Sequence, residues 1–155
     1  MATARKFEEL IAWQLANQFE AWAYEVSETG AMLGDREFRD QWRDAACSPA
    51  RNLSEGFVKY DPPEFARYVN IAKGSFGELQ NHMLKGKQEG YFSEQDYETG
   101  WRLLCRAVRA TNRLHAYLRS CGRKGPQPKN RLQNPQSPDC GEQQKSKRDG
   151  TAEPE

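Results

Sequence analysis

The chain has 155 residues, with 23 Lys and Arg against 22 Asp and Glu, for a net charge of +1. That length fits one domain with a tail, and the near-neutral balance excludes a polycation that coats nucleic acid by bulk charge. No apolar run reaches the roughly 18 residues of a membrane span, and the N-terminus MATARKFEEL lacks the apolar core of a secretory leader, so a cytoplasmic protein with no membrane partner is expected.

The predicted elements are all helices. Phe7, Ile11, Leu15, Phe19, Trp22 and Val26 recur at steps of four and three, which predicts a first helix from Arg5 to Glu28. Thr29-Gly30 supplies its stop, because glycine tolerates the left-handed turn at a helix end. Asp35 is an N-cap for a second helix running to Lys59, and Pro49 within it predicts a kink or a break. In DPPEF, Asp61 caps a third helix, Pro62 takes its first position, and Glu64 makes a capping-box-like pair. Phe65, Tyr68, Val69, Ala72, Phe76, Leu79 and Met83 form its seam, and Gly90 ends it.

Ser93 caps the fourth helix, with Asp96 three residues on, and Gly122 terminates it after Cys121. Residues 123–155 contain no aromatic residue and one leucine. Such a segment cannot bury enough apolar surface to offset chain entropy, so a disordered polar tail is expected. Four long helices in residues 1–122 joined by short connections predict an all-α, antiparallel up-down four-helix bundle. The four cysteines show no CxxC spacing, and Glu78 with His82 lacks the paired Glu-x-x-His pattern of a di-iron bundle. No metal or other cofactor is expected, and the thiols read as reduced.

The fourth helix is unusual in charge. Residues 101–124 hold seven cations and no carboxylate, and the next acid after Glu98 is Asp139. On a helical wheel Leu103, Ala107, Ala110, Leu114, Tyr117 and Cys121 fall within about 80° and are expected to close the bundle. Trp101, Leu104, Cys105, Val108 and Leu118 form a second apolar set beside them. The excess apolar surface predicts contact with another copy of the chain. Arg102, Arg106, Arg109 and Arg113 fill the remaining arc as one column about 60° wide. Arg119, Arg123 and Lys124 extend the same sign. Like charges one turn apart repel only weakly, so the column by itself is compatible with a solvated face. Carboxylates of the first helix (Glu8, Glu9, Glu20, Glu25) would neutralise it across an interface. Phosphates would do so equally, since the guanidinium fork matches phosphate geometry.

The segment QWRDAACSPARNLSEGF, residues 41–57, combines small residues with a proline, an asparagine and a glycine. Asn52, Glu55, Ser75 and Glu78 read as buried hydrogen-bonding groups that fix helix register. The pattern Ala45-Ala46-Cys47-Ser48-Pro49 followed by Asn52-Leu53-Ser54-Glu55-Gly56 resembles the four-helix-bundle proteins encoded in intervening sequences of bacterial 23S ribosomal RNA genes. Two further blocks share the resemblance: Phe65 with Ile71-Ala72-Lys73-Gly74-Ser75 and Glu78-Leu79, and Gly90-Tyr91-Phe92-Ser93. Trp13-Gln14 in the first helix matches as well, and the likeness covers residues 5–121 in order. The chain departs from the family in placing its proline one residue early, with Ala50 at the usual position, and in following Arg43 with Asp44. The resemblance implies a homopentamer of antiparallel four-helix bundles. It also implies an architecture similar to the accessory variability determinant that partners a reverse transcriptase. No enzymatic activity is implied.

Two functions follow. The first is a non-enzymatic oligomer that binds RNA or DNA backbone through Arg102, Arg106, Arg109 and Arg113, with Arg119, Arg123 and Lys124 extending the surface; a purely structural protein–protein module is its alternative. The second is an RNase in which His115 acts as base and Arg109 stabilises the phosphorane. On a wheel those two lie about 120° apart, which weighs against it.

Overall fold

The computed structural model describes residues 4–59 and 61–121. Within them four helices follow one another: α1 (Ile11–Ser27), α2 (Arg36–Val58), α3 (Pro62–Gln88) and α4 (Glu94–Ser120). Among the described residues there is no strand. Each helix packs on two others, α1 on α2 and α4, and α3 on α2 and α4. The expected tail, with Arg123 and Lys124, lies outside the described residues, as does Tyr60.

The helix ends follow local chemistry. The Asp35 carboxylate accepts the Phe38 N–H at 3.0 Å, that of Asp61 accepts the Glu64 N–H at 3.3 Å, and the Ser93 hydroxyl accepts the Asp96 N–H at 3.0 Å. Each satisfies one amide that a helix start leaves bare. Gly30 and Gly90 take positive φ, 68° and 74°. At the latter, Tyr91 N–H reaches back to the Gly86 carbonyl at 2.8 Å and Gly90 N–H to that of Lys87 at 3.2 Å. This paired closure lets the chain turn sharply into α4. The Tyr91 hydroxyl then donates to Asp35 at 2.5 Å, tying this turn to the start of α2. The bond holds the Asp35 carboxyl below the usual carboxylate range and pushes the Tyr91 phenol up to about 12.

The core is aromatic at one level. Trp42 and Phe19 are fully buried with ring centres 5.8 Å apart, and Phe92 lies 5.5 Å from Trp42. Trp22 completes the cluster, 6.0 Å from Trp42 and 6.1 Å from Phe92. The Trp42 indole N–H donates to the Ala23 carbonyl at 2.9 Å, so this ring is both apolar filling and a polar tie from α2 to α1. Its neighbour Arg43 donates to the Ser27 hydroxyl and pairs with Glu28, placing a cation at the negative end of α1.

Several expectations are corrected. α1 begins at Ile11, not Arg5, because Phe7–Glu9 form a separate 3-10 turn, with Phe7 edge-on to Trp13 at 5.3 Å. Ile11 is 63% exposed, and Ala12, Ala16 and Ala23 join Leu15 and Phe19 in facing the core. Of the kink or break expected at Pro49, the break is not made: one helix runs from Arg36 to Val58. The proline is buried, and core packing on both sides of it holds the helix across the missing hydrogen bond. The register-fixing polar cluster is Ser48, Ser75 and Asn52: the two hydroxyls are 2.8 Å apart between α2 and α3, and Asn52 donates to the Ser48 carbonyl at 2.9 Å. Glu55 and Glu78 are exposed instead; Glu55 accepts the Tyr68 hydroxyl, and Glu78 lies 3.8 Å from His82.

The rotation of α4 also differs. Its buried line is Gly100, Leu104, Ala107, Thr111 and Leu118. Of the seam expected to close the bundle only Ala107 is fully buried, while Leu103, Ala110 and Leu114 are half-buried and Tyr117 is 44% exposed. The cause is Gly100. A Cβ there would lie 2.0 Å from Trp22, so the indole sits directly on the α4 backbone and turns that line inward. A wheel that weighs only apolar side chains misses a contact made by an absent one.

Candidate nucleic-acid interface on the last helix

Arg102, Arg106, Arg109 and Arg113 are all exposed, on the arc about half a turn from the buried line of α4. A helix of this pattern places steps of four, three and four on one face, so the four guanidiniums form a strip roughly 16 Å long. Among the described residues no salt bridge joins any of them to a carboxylate. Arg109 donates its Nε–H to the Cys105 carbonyl one turn back, at 3.3 Å. Among the described residues none of Glu8, Glu9, Glu20 and Glu25 pairs with these arginines in the protomer, so neutralisation by them is left to an interface between copies. The acids of α4 stand at its other end, with Glu94 and Asp96 in the first turn, where they suit the helix dipole.

Spacing alone places Tyr117 in the bundle seam, and the structure does not keep it there. It lies one turn beyond Arg113 and is partly open to solvent, at the edge of the arginine strip. The signal that would have found it is the glycine at position 100, which sets the rotation of the helix. Trp13 packs on Phe7, and Tyr24 lies under the Arg43 guanidinium at 5.2 Å, so neither is a free platform.

Arg119 stands apart from the column. With Pro63, Ala66, Arg67 and Asn70 of α3, and with His115 and Leu118, it lines an open concavity of about 480 Å³ between the first turns of α3 and the last turns of α4. Burial lowers the His115 imidazole below its ordinary range, and the nearby Lys73 and Arg119 charges lower it further. Arg109 is not among the residues that line this concavity. Among the described residues no cluster of His, Cys, Asp and Glu is arranged to hold a metal ion, and no helix is long and apolar enough to cross a membrane.

A family profile described as "23S rRNA-intervening sequence protein" matches residues 8–112, covering all but the end of the helical region. No curated protein matches the chain.

Proposed function

The chain belongs to the 23S rRNA-intervening sequence protein family, and from that premise we propose a non-enzymatic homo-oligomer that binds the sugar–phosphate backbone of RNA or DNA along α4. In this reading the protomer is an antiparallel up-down bundle, and five copies close into a ring. The observation that carries the reading is the arginine column. Four exposed guanidiniums share one face and have no carboxylate partner among the described residues. Planar forks at helical spacing suit phosphate oxygens, and such contacts position a strand without reading its sequence. Exposed Tyr117 beside the column supplies a face on which a base stacks. The half-buried Leu103, Ala110 and Leu114 flank is the surface on which a second copy packs, and repetition around the ring turns a near-neutral chain into a basic belt.

If about four phosphates are neutralised per subunit, the logarithm of the affinity for single strands falls with the logarithm of salt concentration with a slope near −3. Replacing Arg106, Arg109 and Arg113 by Gln leaves one contact and brings the slope to about −1, with the helix content unchanged because all three side chains are exposed. Fluorescence anisotropy of a labelled oligonucleotide across a salt series reads both. Equal slopes for the two proteins would remove the column from the interface.

A further inference from the structure

The concavity at the other face of α4 is built from two helical pairs. Arg67 and Asn70 are three residues apart on α3, and His115 and Arg119 are four apart on α4. Those spacings put each pair on one helix face, so the two facing helices supply four nitrogen-bearing corners. Among the described residues no lining residue is a carboxylate. Among the described residues no ion pair involves Arg67 or Arg119, and the nearest aromatic partner of Arg67 is the Tyr68 ring at 6.0 Å. The floor is apolar, with Ala66 and Leu118 both buried. Unneutralised guanidiniums around a half-buried imidazole, over an apolar floor, repel one another until an anion arrives.

We propose that this concavity is a phosphate-binding site that takes one nucleotide, either free or at the phosphorylated end of a strand. Its volume of about 480 Å³ suits a ligand of that size. The Arg67 and Arg119 forks hold the phosphoryl oxygens, Asn70 donates an amide hydrogen, and sugar or base covers Ala66 and Leu118. Burial first, and then the Lys73 and Arg119 charges, hold the His115 imidazole below its ordinary range in the free protein, and Arg67 adds a third cation to the same lining. A phosphate dianion reverses that field, and His115 takes up a proton as the ligand binds. The site is on residues distinct from the arginine column and does not depend on the column binding nucleic acid.

The chain contains only two histidines, which makes the test direct. In the full-length protein, NMR follows the titration of His115, its signal told apart from that of His82, which is buried beside Phe38. Adding 5′-AMP is expected to raise the His115 midpoint by about one pH unit. Adenosine, with no phosphate, does not move it. Arg67→Ala with Arg119→Ala raises the half-saturating AMP concentration about tenfold or more, without lowering thermal stability, because both side chains are exposed. A 5′-phosphorylated oligonucleotide that reproduces the shift, where its 5′-hydroxyl counterpart does not, assigns the site to strand ends; a response to AMP alone assigns it to free nucleotides. The Arg106/Arg109/Arg113→Glu variant keeps the AMP response, which separates this site from the column. A His115 signal unmoved by millimolar AMP and by the phosphorylated strand would overturn the proposal. So would an equal shift with adenosine, or a full response in the double-alanine variant.

Discussion

Trp42→Ala is expected to cost about 3–5 kcal/mol of folding stability, a large share of the roughly 5–15 kcal/mol that a domain of this size commands. Three losses combine. The indole is fully buried, so its truncation opens a cavity between α1 and α2 lined by Phe19, Trp22 and Phe92. Those rings are themselves interlocked and cannot collapse far into the space. The N–H bond to the Ala23 carbonyl also disappears, removing a buried polar tie between α2 and α1. Trp42→Phe retains most of the volume but not that bond, and falls between the two. Urea unfolding monitored by circular dichroism gives both values. A cost below about 1 kcal/mol for the alanine variant would mean that the aromatic level is not where the bundle is held.

The second large effect concerns glycines that look alike in the sequence. Gly100→Ala adds a methyl 2.0 Å from the nearest atom of Trp22, closer than any real contact. Alanine gains about 1 kcal/mol of helix propensity, but forcing a packed indole aside costs about 1–3 kcal/mol or more. The clash wins because the half-buried Trp22 is packed against Trp42 and Phe92, so the indole shifts only by disturbing that cluster. Gly86→Ala should behave in the same way against Phe92, whose ring would lie 2.4 Å from the new methyl. Gly77→Ala has the opposite sign. Nothing lies within 4 Å of its added Cβ, and about 0.5–1 kcal/mol of stabilisation is expected. Melting curves of the three variants at one protein concentration check the order. Destabilisation at Gly77 would mean that atoms of another copy fill the space beside α3.

These glycines also mark what was legible in the sequence. Caps, stops and helix number depend on neighbours a few residues away, so Asp35, Asp61, Ser93, Gly30 and Gly90 could be read in place. The setting of each helix about its own axis is a tertiary matter. Gly100 carries no side chain to count, yet Trp22 packing on it turns Leu104 and Thr111 inward and leaves Tyr117 partly exposed. Ile11 lay on an apolar spacing but before the first full turn, where no partner helix covers it. Pro49 shows the reverse case: a local rule against continuity yields to burial in a small-residue contact. The arginine column was readable because like charges at helical steps share a face whatever the rotation. The Arg67–Arg119 concavity was not, because it joins the first turns of α3 to the last turns of α4 across a separation that no motif spans.

The central claim is that α4 faces phosphate, and a solution mass determination tests it most directly. The full-length protein is measured alone and with a mixed RNA and DNA oligonucleotide pool, at low and moderate salt, beside the Arg106/Arg109/Arg113→Glu variant. The expected result is five times the 17.8 kDa chain for both proteins, with added nucleic-acid mass for the wild type only and less of it at the higher salt. A wild-type oligomer that ignores the pool, while the variant dissociates, would contradict the account and place the arginines against neighbouring subunits.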